Sequence, residues 1–108
     1  MARKRREREA PEVGAMALRV IRALVRRAEA GDTEALEQLQ MIEAVAQSAT
    51  GEALTRMQAG SGPVSAPYSW AELGDAMGVT RQTAHERSRK WRTAHPQVAA
   101  DIDAAAAR

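Results

Sequence analysis

Residues 69–90, SWAELGDAMGVTRQTAHERSRK, constrain the backbone more tightly than any other stretch of the chain. Ser69 and Glu72 have capping-box spacing, in which the serine hydroxyl accepts the Glu72 amide hydrogen and the glutamate carboxylate accepts that of Ser69. Tyr68 before the cap and Leu73 after it are placed as a hydrophobic staple. Trp70, Leu73 and Met77 recur at i, i+3 and i+7, along one side of a helix. Gly74 lies where a second helix can approach the backbone. Gly78 ends the helix and supplies the positive φ of a tight turn. Val79 is an apolar plug, and Thr80 caps a second helix whose inward stripe is Ala84, Ser88 and Trp91.

Counted from Trp70, a small residue comes fifth (Gly74), glycine ninth (Gly78) and an apolar residue tenth (Val79). Leu73, Met77 and Ala84 fill the fourth, eighth and fifteenth places. This pattern resembles the helix-turn-helix of small actinobacterial, plasmid and phage regulators, and more distantly region 4 of sigma factors. The resemblance covers roughly residues 68–92 of the 108. It implies a helix-turn-helix fold and binding of double-stranded DNA, with the helix 80–92 in the major groove. One position departs from the pattern: the eighteenth place is usually aliphatic and here is Arg87, with Ser88 next. Trp91 is expected to supply the missing apolar area. The Arg87 stem is expected over the core, its guanidinium reaching water or Glu72.

At 100° per residue, Gln82, His85, Glu86 and Arg89 cluster opposite Ala84 and Trp91. Arg81 and Arg92 flank that face on one side, Thr83 and Lys90 on the other. A recognition helix reads bases with its N-terminal exposed residues. Gln82 can pair bidentately with adenine, Arg81 with guanine, Glu86 can accept from cytosine N4, and His85 can donate to an acceptor. Arg89, Lys90 and Arg92 suit phosphate contacts, as do Thr80 and Thr83 at the helix start. The amides at Ser69 and Trp70 offer a further phosphate site. Competing readings stand beside these: His85 as a solvated surface histidine, Glu86 as the i+4 partner of Lys90, and both tryptophans as core.

Composition limits the rest. The chain has no Phe, one Tyr and two Trp, although 44% of it is hydrophobic. Its core must be built from Ala, Leu, Val, Ile and Met, which suits close helix packing and points to an all-α fold. With no cysteine, disulfides, thiolate nucleophiles and zinc-finger sites are excluded. His85 and His95 are too few and too poorly partnered for a metal centre. There is no GxxxxGK[ST] loop, GxSxG elbow or HExxH pair, so neither an enzyme nor a cofactor is expected. Arg19, Arg22, Arg26 and Arg27 interrupt any apolar run near the N-terminus, leaving neither a signal peptide nor a membrane span. A cytoplasmic, nucleoid-associated protein is the expectation.

Along the chain, residues 1–12 read as a disordered basic arm ending near Pro11. Residues 13–59 read as an acidic α-hairpin: Ala17, Ile21, Leu24 and Ala28 share one face, Gly31 stops the first helix, and Asp32 caps the next. Ala35, Leu39, Ile42, Ala46, Ala49 and Ala53 form a seam of coiled-coil type, with Thr50-Gly51 inside it as a kink or early end. So small a seam needs a partner, either the downstream helices or a second subunit. "GSGPVSAP", residues 60–67, reads as a linker. Residues 68–94 are the helix-turn-helix unit. Residues 95–108 are a tail in which Val98, Ile102 and Ala105 permit a short helix, while Asp101 and Asp103 form a mobile acidic pair.

The net charge of +2 hides a segregation. Residues 3–8 hold five basic side chains against Glu7; residues 29–58 hold six acidic ones against Arg56. Residues 80–95 carry Arg81, Arg87, Arg89, Lys90 and Arg92 against Glu86 alone. Basic ends around an acidic middle fit a polyanion partner. The expected function is sequence-specific DNA binding by a homodimeric transcriptional regulator reading two half-sites. The alternatives are a nonspecific architectural DNA binder and an adaptor or antitoxin whose acidic hairpin holds a protein partner.

Overall fold

The computed structural model describes residues 2–60 and 67–107, with side chains from Glu9 onward. These residues form five helices: α1 (Ala2–Glu29), α2 (Thr33–Ala59), α3 (Trp70–Met77), α4 (Arg81–Ala94) and α5 (Pro96–Ala106). No strand occurs among the described residues, so the chain is all-α. It divides into two compact units, Met1–Ala44 and Val45–Arg108.

In the first unit, the segment expected as a basic arm is helical from Ala2, and Pro11 lies inside α1. Ala, Arg, Lys and Glu are strong helix formers, which outweighs the amide hydrogen bond that proline removes. Arg26 and Arg27 in the last turn of α1 complement the helix dipole. Gly31 (φ 96°) closes the helix in a Schellman arrangement: its amide donates to Ala28 O (3.0 Å) and the Asp32 amide to Arg27 O (3.0 Å). Asp32 caps α2 by accepting from the Ala35 amide (3.2 Å).

Close backbone approaches join α3 with α4 and α4 with α5. Ala35 is buried and Ile21, Leu24, Ala28, Leu39 and Ile42 are half-buried. All flank the Gly31 turn. Val13, Met16, Leu18, Val20, Leu36 and Met41 are more than half exposed.

In the second unit, α2 runs through Thr50-Gly51 without a break. The glycine is there for packing. A Cβ on Gly51 would sit 2.6 Å from Trp91 Cβ and 3.1 Å from the Arg87 carbonyl oxygen, so the backbone of α2 lies directly against α4. One turn on, Thr55 and Ser88 are 0% and 1% exposed, with their hydroxyls 2.7 Å apart. Thr55 already donates to Gly51 O at 2.8 Å, so Ser88 is the donor and Thr55 the acceptor of that bond. Buried hydroxyls matched in this way carry no unsatisfied polar group into the core.

Two apolar clusters flank this polar contact. Leu54, Leu73 and Ala84 form one, with Met57, Tyr68, Trp70, Met77 and Val79 against it. Trp91, Ala99 and Ile102 form the other, with Ala59 against it. The tail is therefore ordered: α5 starts at Pro96, a favoured first-turn proline, and buries Ala99 and Ile102. Its stripe is rotated from the expected one, since Val98 is 37% exposed and Ala105 lies at the surface. Of the expected linker 60–67, residues 61–66 lie outside the described residues. At its ends, Gly60 has φ 74° and the Tyr68 amide donates to Met57 O (3.0 Å).

Candidate nucleic-acid interface

The site rests on α3, the turn 78–80 and α4. The capping box forms as the sequence requires, with Glu72 N donating to Ser69 Oγ (3.1 Å) and Ser69 N to Glu72 Oε1 (3.0 Å). Gly78 adopts φ 70°, its amide donates to Asp75 O (3.2 Å), and the Val79 amide donates to Gly74 O (2.9 Å). At Gly74 a Cβ would lie 2.8 Å from Val79 O and 3.0 Å from Arg81 N, so only glycine lets the turn fold so tightly over α3. Thr80 then caps α4, accepting from the Thr83 amide (3.1 Å) and donating to the Thr83 hydroxyl (3.0 Å).

The back of α4 is fixed by Ala84, Ser88 and Trp91, all buried. Its front carries Arg81, Gln82, His85, Glu86, Arg89 and Lys90, all exposed. These six stand together on the outward side of one helix. The His85 ring meets Trp70 edge-on, with centroids 5.0 Å apart and planes at 72°. That contact limits its orientations and ties α4 to the start of α3. Gln82 Nε2 donates to Glu86 Oε1 at 3.5 Å, a weak i+4 contact. The alternative i+4 ion pair of Glu86 with Lys90 does not form: the ion pairs among the described residues are Glu52–Arg56 and Arg92–Asp103.

Three expected contacts change. Arg92 is held bidentately by Asp103 of α5, with Nη1–Oδ2 2.9 Å and Nη2–Oδ1 3.1 Å. Its charge is neutralised within the chain, and Asp103 is anchored, not mobile. The Ser69 amide is occupied by Glu72, whose carboxylate also brings negative charge to that helix end, so only Trp70 of the expected amide pair remains for a phosphate. Arg87 is exposed, with no hydrogen bond to Glu72 among the described residues. Ser88 takes the inward place beside it, buried against the Thr55 hydroxyl. Arg87 thus joins the exposed cations of α4, the solvent-facing one of the two placements expected for its guanidinium.

Thr93 also lies on the exposed side, its hydroxyl donating to Arg89 O (3.0 Å). With Glu86, Arg89, Lys90 and Ala94 it lines a concavity along α4. At the C-terminal end, His95 stacks on Trp91 (4.9 Å, 20°) with Nδ1 3.0 Å from Trp91 O, which seats the corner into α5. Among the described residues no three His, Cys, Asp or Glu side chains gather as metal ligands, and no helix is long and apolar enough to cross a membrane. No family model, curated protein or solved structure matches this chain.

Proposed function

We propose that the chain is a sequence-specific double-stranded DNA-binding protein, a transcriptional regulator whose α3–turn–α4 unit is a helix-turn-helix with α4 as the major-groove helix. The observation that carries this reading is the sidedness of α4. Its back is immobilised by Ala84, Ser88 and Trp91, while Arg81, Gln82, His85 and Glu86 stand exposed over its first two turns. Amide, guanidinium, imidazole and carboxylate at the N-terminal end of one rigid helix match the donor and acceptor groups of base edges. Arg89 and Lys90, with Arg87 on the flank, supply the phosphate-neutralising charge. Thr80 and Thr83 are engaged with each other at the cap, where the adjoining backbone amides favour an anion.

The test is a pair of single substitutions measured on a set of duplexes. Gln82→Ala relaxes discrimination at one base position by roughly 1–3 kcal/mol. Lys90→Ala weakens all duplexes alike and lowers the salt slope, d log K/d log[salt], by about 0.9. Equal, sequence-blind losses from both would replace base reading by the architectural alternative.

A further inference from the structure

On the reading of α4 as the major-groove helix, on which this rests, we infer that Trp70 is a positioning residue for base recognition. Its indole, packed on the core, holds the exposed imidazole of His85 where a ring nitrogen meets an acceptor on a base edge. The capping box of Ser69 and Glu72 fixes the first turn of α3. From there the half-buried Trp70 side chain packs on the cluster of Leu54, Leu73 and Ala84. His85 follows the fully buried Ala84 and lies about 60° round α4 from Gln82, on the Ala84 side. The Trp70 and His85 ring centroids are 5.0 Å apart, with the planes at 72°. A residue of α3 thus sets the place of one reading side chain on α4.

Two Trp–His pairs lie in this unit, and they treat the imidazole differently. His95 is half-buried, stacks nearly parallel on Trp91 at 4.9 Å and has Nδ1 3.0 Å from Trp91 O, so one ring nitrogen is engaged inside the fold. His85 is exposed, meets Trp70 edge-on and makes no side-chain hydrogen bond among the described residues. Trp70 therefore holds that ring by aromatic contact alone. An imidazole N–H suits purine N7, guanine O6 or thymine O4, the acceptors of the major groove. A histidine free to rotate loses that freedom when it binds, and one already held loses less. An edge-on aromatic pair is worth about as much as the freedom it removes, so positioning changes discrimination at one base pair by roughly 2–10-fold. A pair that only stabilised the fold would weaken every sequence alike.

The test measures binding of the full chain to its selected duplex and to the single-base variants of that duplex. His85→Ala should relax preference at one base pair other than the one relaxed by Gln82→Ala. Trp70→Leu, which is apolar, lacks a ring and keeps the residue 70 amide, should relax the same base pair as His85→Ala by roughly 2–10-fold and leave the Gln82 pair intact. Trp70→Phe, which restores a ring, should recover most of that preference. In the His85→Ala background, Trp70→Leu should have no further effect at that base pair. In the DNA-free chain, nuclear Overhauser effects should join the Trp70 and His85 ring protons; the chain has two histidines, so His85→Ala assigns them. Unchanged preference in His85→Ala or Trp70→Leu, equal losses for all duplexes from Trp70→Leu, or no Overhauser effect between the rings would overturn the positioning role and leave base reading by Gln82 standing. A wild type without preference among the duplexes would overturn base reading itself, and the positioning role with it.

Discussion

Gly14 and Gly51 lie inside the two longest helices, yet they occupy opposite environments. A Cβ at Gly14 would meet nothing within 4 Å, whereas at Gly51 it would lie 2.6 Å from Trp91 Cβ. The same residue type is a gap in one region and a contact in the other. The unit Val45–Arg108 makes a core without phenylalanine by bringing backbones together at Gly51 and Gly74, then filling the remainder with Leu54, Leu73, Trp91 and Ile102. The unit Met1–Ala44 has Ala35 as its buried residue among the described side chains and leaves its larger apolar groups uncovered. A close-packed unit and one that leaves large apolar side chains exposed are different outcomes of an alanine-rich sequence.

The contrast can be broken most forcefully at the packed glycines. Gly51→Ala or Gly74→Ala should destabilise the second unit by roughly 2–3 kcal/mol, because the neighbours are α4 itself and turn backbone that cannot step aside. Urea unfolding followed by tryptophan fluorescence reads this cleanly, since Trp70 and Trp91 both lie in that unit. Ser88→Ala should cost about 1–2 kcal/mol by removing the donor to buried Thr55. Gly14→Ala should do the reverse and stabilise α1 by about 0.5–1 kcal/mol, seen as higher helicity by circular dichroism with the fluorescence transition unmoved.

The smallest effect on stability is expected at Asp103. Its bond to Arg92 is partly solvent-exposed, so Asp103→Ala should cost only about 0.2–1 kcal/mol. On DNA, however, it releases a cation and should steepen the salt slope by about 0.9. Arg92→Ala, by the same reasoning, should leave the slope near the wild-type value, in contrast to Lys90→Ala.

What the sequence disclosed is local. Ser69 with Glu72, Gly78 with Val79, and Thr80 are neighbours whose hydrogen bonds close within a few residues, so their spacing specifies the geometry outright. The exposed face of α4 followed from helical periodicity in the same way. The misreadings at Gly51, Asp103 and the α5 stripe are tertiary. Gly51 reads as a helix breaker until α4 is packed on it, and the Thr55–Ser88 pair spans 33 positions. Asp103 finds Arg92 only once α5 turns back at Pro96, which also shifted the buried stripe from Val98 to Ala99. Residues 2–12 reversed a different judgement: Pro11 reads as a boundary, but the flanking helix formers carry α1 through it.

The central claim is that residues 81–86 read bases from a fixed helix, and it is tested most directly by selecting bound sequences from a random duplex pool at ~0.15 M salt. The Arg81→Ala/Gln82→Ala double variant is run beside the wild type. A consensus recovered with the wild type and lost in the variant is the predicted result; if the protein binds as a dimer, that consensus is two-fold symmetric. Bound pools without a consensus, or an identical consensus from both proteins, would contradict base reading by α4.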